Sequence, residues 1–75
     1  MTVQFTGQDV QCRTLADAHN VYICKRRDPY MYCSFKSSGD RAAYKTALAA
    51  VANIHVADFA FPYDPSLYVV KITPT

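Results

Sequence analysis

The feature that most constrains this chain is the change of hydrophobic period between Val21 and Thr73. Apolar residues alternate through the first part of this stretch, recur at helical spacing through the middle, and alternate again to the end. A period of 2 exposes one face of a strand and a period of 3.6 one face of a helix. The chain therefore has to build a hairpin, one helix and then further strands. Val21 to Arg26 reads as the first strand, Arg27-Asp28-Pro29 as a tight loop, and Tyr30 to Lys36 as the second strand. Met31, Cys33 and Phe35 fall on one side of that second strand, and Tyr30, Tyr32, Ser34 and Lys36 on the other. Matching Val21 and Ile23 to the apolar side sends Tyr22, Cys24 and Arg26 to the tyrosine-bearing side. Register normally follows the buried pattern, so this pairing is preferred over the symmetric one that sets Cys24 opposite Cys33.

Ser37-Ser38-Gly39-Asp40 reads as a helix start, with Ser37 and Asp40 spaced as in a capping box. The helix is expected from Asp40 to about Ala52. Tyr44, Ala47, Leu48, Val51 and Ile54 form its apolar stripe, with Tyr44 a core-edge aromatic. Arg41, Lys45, Ala49 and Asn53 fall on its outer side. His55, Ala57, Phe59 and Phe61 then alternate with Val56, Asp58 and Ala60, giving a strand. Pro62-Tyr63-Asp64-Pro65 is a turn, Leu67 to Thr73 a β-rich run, and Pro74 its end. At the other end Thr2 to Thr6 alternates like a strand, followed by a turn at Gly7-Gln8-Asp9. Val10 to Thr14 fits either a strand or the opening of a helix capped by Asp9 and running to His19, and Leu15 to Asn20 otherwise reads as connecting chain with Asp17 and Asn20 as turn residues. The expected fold is one α+β domain over residues 1–75. It has an antiparallel sheet of four to five strands with one α-helix on one face, in the order β(β)ββαββ.

Composition narrows function. At 75 residues the chain has room for one core, and an apolar fraction of 51% is a globular composition. A net charge of +2 falls short of the strong basicity of many nucleic-acid proteins. No apolar run approaches the roughly 18 residues of a membrane span, and no leader-like segment is read, so a cytoplasmic location is expected. Three cysteines, an odd count, agree with that expectation.

Candidate chemistry is sparse. Cys12, Cys24 and Cys33 with His19 or His55 are ligand types that zinc prefers, but there is no Cys-x-x-Cys pair and the cysteines sit on separate elements. No metal and no cofactor are expected. Neither histidine lies beside a nucleophile in a recognisable turn, and no phosphate loop or dinucleotide fingerprint is present, so the reading is not an enzyme. What remains is the hairpin. Tyr22, Arg26, Tyr30, Tyr32 and Lys36 are expected on its outer face, with Lys25 and Arg27 at its tip. Tyrosines on a sheet stack nucleobases and cations neutralise phosphates, while Tyr and Arg are also the residues that anchor protein interfaces.

The plan of a hairpin, an Ala-rich helix entered through Ser37-Ser38-Gly39-Asp40 and two closing strands resembles small phage-encoded inhibitors. These are the anti-CRISPR proteins and the phage inhibitors of host RNA polymerase. The resemblance covers Val21 to Thr73 in outline. It implies a pocketless protein in a host cytoplasm that occludes a surface of a protein or nucleoprotein complex. Such inhibitors commonly present an acidic face, whereas this hairpin is basic, so docking through tyrosine and arginine is expected. A nucleic-acid-binding module using the same face is the alternative. A homodimer through Leu67 to Ile72, were that run a sheet edge, is a third.

Overall fold

The computed structural model describes residues 7–27 and 29–75. Its elements run α1 (Gln8–Ala18), β1 (Ile23–Arg27), β2 (Tyr30–Phe35), α2 (Ser38–Leu48), β3 (Ile54–Phe61) and β4 (Asp64–Pro74). The strands form one antiparallel sheet in the order β1-β2-β4-β3, so the fold is α+β as expected. Two helices, rather than one, pack on one face. The strand expected over Thr2 to Thr6 lies outside the described residues. The run Leu67 to Ile72 is not an edge, since β4 is paired on both sides. Among the described strands, β1 and β3 are at the edges. No described helix is long and apolar enough to cross a membrane.

The ambiguous segment Val10 to His19 folds as helix, which corrects the connecting chain expected from Leu15 by placing Leu15 and Asp17 in α1. Cys12 and Ala16, four apart, point inward and are fully buried, which gives the short helix one apolar stripe against the core. Its N-cap is Gly7 rather than Asp9, whose side chain instead accepts from the Val10 backbone N–H at 2.9 Å within the first turn. Gly7 sits at φ 101°, where residues with a Cβ are disfavoured, so the expected turn is a left-handed entry into the helix. At the other end Asn20 takes φ 61°, and the Val21 N–H donates back to the Ala16 carbonyl at 3.1 Å. That pairing is a Schellman closure with asparagine in the left-handed position, and it turns the chain into β1.

Helix α2 begins as its sequence demands. The Ser37 hydroxyl accepts from the backbone N–H groups of Gly39 and Asp40, at 3.2 and 3.4 Å. The helix starts two residues earlier than expected and ends at Leu48, after which turns lead to Asn53 at φ 63°. Tyr44, Leu48 and Val51 enter the core as the stripe predicts. Tyr44 goes deeper than a core edge. It is fully buried, packs on Phe35 at 5.1 Å between ring centroids, and its hydroxyl donates to the Cys12 carbonyl at 2.9 Å. This bond ties α2 to α1 over the middle of the sheet. Met31, Cys33, Phe35, Val70 and Ile72 complete the core from the strands.

Arg41 and Lys45 are not free outer residues. They reach down to Asp58 on β3, with Lys45 Nζ at 2.7 Å and Arg41 Nη2 at 3.7 Å. The Lys45 hydrogen bond, with Arg41 adding to it, holds the Asp58 carboxyl below the usual carboxylate range.

Candidate functional site

The hairpin register is the symmetric one. Ile23 pairs with Ser34, Cys24 with Cys33, Lys25 with Tyr32, Arg26 with Met31 and Arg27 with Tyr30. The expected odd-to-odd pairing is therefore corrected. Two residues separate Arg27 from Tyr30, and so short a loop fixes register before side-chain patterning can act. As an edge strand, β1 tolerates the consequence. Ile23 turns to the outer face and remains 44% exposed.

This register redistributes the expected site. Arg26 lies on the helix-bearing face with Cys24, and its guanidinium pairs with Asp9 of α1 at 2.9 Å. Tyr22 and Lys36 pair with each other beyond the strand ends, with the ammonium 4.4 Å from the ring centroid. Lys25, Arg27, Tyr30 and Tyr32 share the opposite face of the sheet, across which no described helix lies. So four of the seven expected residues come together and three do not.

Residues from the second half of the chain join those four. Lys71 on β4 pairs with Tyr32 on one side and Ala57 on the other, which places it in the middle of that face, where the paired Ser34 and Val69 are fully buried. Its ammonium sits 4.7 Å from the Tyr30 ring centroid and 5.8 Å from that of Phe59. Phe59 reaches across β4 to Tyr32 at 5.1 Å. The β3–β4 register shifts between Phe59 and Phe61, and such an irregularity bends a strand. Phe61 thereby comes within 5.9 Å of the Tyr32 ring, although β4 lies between their strands. Tyr63 at the tip stacks on Phe61 at 5.1 Å with 12° between planes. Five rings from Tyr30 to Tyr63 thus form one connected array.

The bent hairpin and β1 enclose a cleft of about 380 Å³ lined by Lys25, Arg27, Tyr32, Phe59, Phe61, Pro62 and Tyr63. Aromatic rings make one side of it and two exposed cations the other. Among the described residues, neither Lys25, Arg27 nor Lys71 is in an ion pair. Among the described residues, all the carboxylates but Asp64 lie elsewhere. Asp9, Asp17 and Asp40 are on the helices and Asp58 faces α2, while Asp64, opposite Phe61, accepts from the Ser66 hydroxyl at 2.6 Å. Three cations and the five rings therefore share one face, while Arg13, Arg26, Arg41 and Lys45 lie on the helix side with four of the described carboxylates.

Phe59, Phe61, Tyr63 and Lys71 were not among the residues expected from sequence. The alternation of His55, Ala57, Phe59 and Phe61 already set both phenylalanines on one side of a strand. Only the sheet order shows that this side adjoins Tyr32. The cysteines do not form a metal cluster, because among the described residues no three His, Cys, Asp or Glu side chains group closely enough to hold an ion. Compared with known proteins, the chain matches no family model, no curated protein and no solved structure, so its function has to be read from this face.

Proposed function

We propose that the protein is a non-enzymatic binding module that takes single-stranded nucleic acid on the sheet face away from the helices. Bases stack on Tyr32, Phe59, Phe61 and Tyr63, while Lys25, Arg27 and Lys71 meet the phosphates. The observation that carries this reading is the segregation just described: a connected aromatic array, three cations without ion pairs among the described residues, and carboxylates mostly on the far side. Stacking accepts any base because every base has a π-face, and cations along the same groove track the backbone. A duplex hides its base faces, so the array favours unpaired strands. Among the described residues, the lining of the cleft includes no Cys, Ser, His, Asp or Glu, the groups from which nucleophile and base pairs are made.

A second reading keeps the protein as an inhibitor that occludes a protein surface, as the resemblance to phage inhibitors implies. One observation favours it: Tyr63 stands 73% exposed at the hairpin tip beside Pro62, an aromatic knob of the kind that anchors interfaces. Fluorescence anisotropy with labelled single-stranded and duplex DNA and RNA separates the two. The nucleic-acid reading predicts tighter binding to single strands. Tyr63→Ala should weaken it by about 1–3 kcal/mol, the usual loss for one stacked base. Absence of binding at low salt would reject this reading and leave the occlusion of a protein partner.

A further inference from the structure

We propose that Cys24 and Cys33 form a dithiol site that small-molecule disulfides oxidise reversibly to a cross-strand disulfide, Cys24 attacking and Cys33 resolving. The inference goes beyond the binding reading and does not depend on it. The two residues are directly opposed on neighbouring strands, and their sulfurs lie 3.1 Å apart. A disulfide needs about 2.05 Å, so a shift of about an ångström in an edge strand closes the bond. The roles follow from access. Cys24 is half-buried on edge strand β1, within reach of a small oxidant, whereas Cys33 is fully buried beneath the helices.

Electrostatics divides the pair in the same sense. Hydrogen bonding with Cys33 lowers the Cys24 thiol, against opposing pushes from burial and Asp17, and Arg13 assists. The same hydrogen bond and burial raise Cys33. The proton is thus held on Cys33 and the thiolate forms on Cys24, which is the nucleophilic species. Cys12, the third cysteine, is fully buried in α1, and burial together with Asp9 pushes its thiol up to about 11.

In the first step the Cys24 thiolate attacks one sulfur of the oxidant's disulfide. That S–S bond breaks and one small thiolate leaves. Cys33 then loses its proton to the departing thiolate, and its sulfur attacks the Cys24 sulfur. The mixed disulfide breaks and the second small thiol is released. Two protein thiols have lost two hydrogens, and one small disulfide has become two thiols. The bond would clamp the hairpin that carries Lys25, Arg27, Tyr30 and Tyr32.

The test uses the reduced wild-type protein with oxidised glutathione at rising ratios to reduced glutathione, followed by alkylation and mass spectrometry. Trypsin cuts after Arg13, Lys25, Arg26, Arg27 and Lys36, so the three cysteines leave on separate peptides. The expected result is an intact mass lower by two hydrogens, the Cys24 and Cys33 peptides joined, and Cys12 alkylated only after unfolding. Cys33→Ser should stop with one glutathione on Cys24. If that variant does not fold, an early wild-type intermediate carrying glutathione on Cys24 alone gives the same information. No loss of two hydrogens in excess oxidised glutathione, glutathione retained on Cys24 in the wild type, or a crosslink to Cys12 would overturn the proposal.

Discussion

Replacing Tyr44 with phenylalanine removes a single oxygen from the joint that holds the two helices together. The ring remains, with its packing on Phe35 at 5.1 Å, so little apolar burial is lost. What goes is the hydroxyl donating to the Cys12 carbonyl at 2.9 Å in a fully buried setting. That carbonyl lies inside α1 and keeps its helical partner, so no acceptor is stranded. The loss is then that hydrogen bond, about 1 kcal/mol, with up to about 0.5 kcal/mol more for the weak bond between the hydroxyl and the Cys33 sulfur at 3.4 Å and the small void left beside it. For a domain of this size each kcal/mol shifts the melting temperature by roughly 4–8 °C, which gives a fall of about 4–12 °C. Tyr44→Ala would cost about 3–5 kcal/mol, as much as the whole stability of many small domains, and should leave the chain unfolded. Tyr63→Phe, altering a hydroxyl on an exposed residue, should change nothing measurable. Urea titration and thermal unfolding followed by circular dichroism read all three. A Tyr44→Phe variant as stable as the wild type would refute the claim that this bond joins the helices. Unfolding as complete as that of Tyr44→Ala would show that the hydroxyl does more than one hydrogen bond can do.

Two further predictions concern the frame of the fold. Gly7→Ala should destabilise by about 1–2 kcal/mol in urea titration, because Gly7 has φ 101° while an added Cβ would meet no atom within 4 Å. A Gly7→Asn variant should recover part of the loss, since asparagine tolerates that conformation better. Asp58 has its folded pKa lowered by Lys45 and Arg41, so its stabilising contribution is present above the unfolded carboxylate value and is lost as pH falls through the folded one. Stability measured from neutral to acid pH should therefore fall less steeply in Asp58→Asn. The difference should be at most about 1 kcal/mol, because the carboxylate is half exposed.

The hairpin and α2 were legible because two short-range signals agree there: period-2 alternation in the strands, and Ser37 capping a run of helix formers. The period of α1 was ambiguous, since its fully buried residues are Cys12 and Ala16 with Leu15 packed beside them, too few to separate two periods. The register of β1 was misread for a different reason. Hydrophobic patterning suits a strand covered on one face along its length, but β1 is an edge and its loop is short. There turn geometry decides, and Ile23 is left partly in water. That one-residue difference moved Arg26 to Asp9 and took Cys24 to Cys33. Half of the aromatic array was invisible for want of sheet order: nothing in the spacing of Phe59 and Phe61 says that they meet Tyr32.

The central claim is that Lys25, Arg27 and Lys71 serve phosphates on the face away from the helices, and counterion release measures it most directly. Affinity for a single-stranded oligonucleotide would be measured by anisotropy across a range of salt concentrations. Three phosphate contacts on a single strand predict a slope of log affinity against log salt near −2, from about −0.7 per contact. Lys25→Ala, Arg27→Ala and Lys71→Ala should each make that slope shallower by about 0.7. Arg26→Ala, whose guanidinium pairs with Asp9 on the other face, should leave the slope unchanged. Binding that is indifferent to salt, or a slope that moves with Arg26 and not with Arg27, would contradict the account.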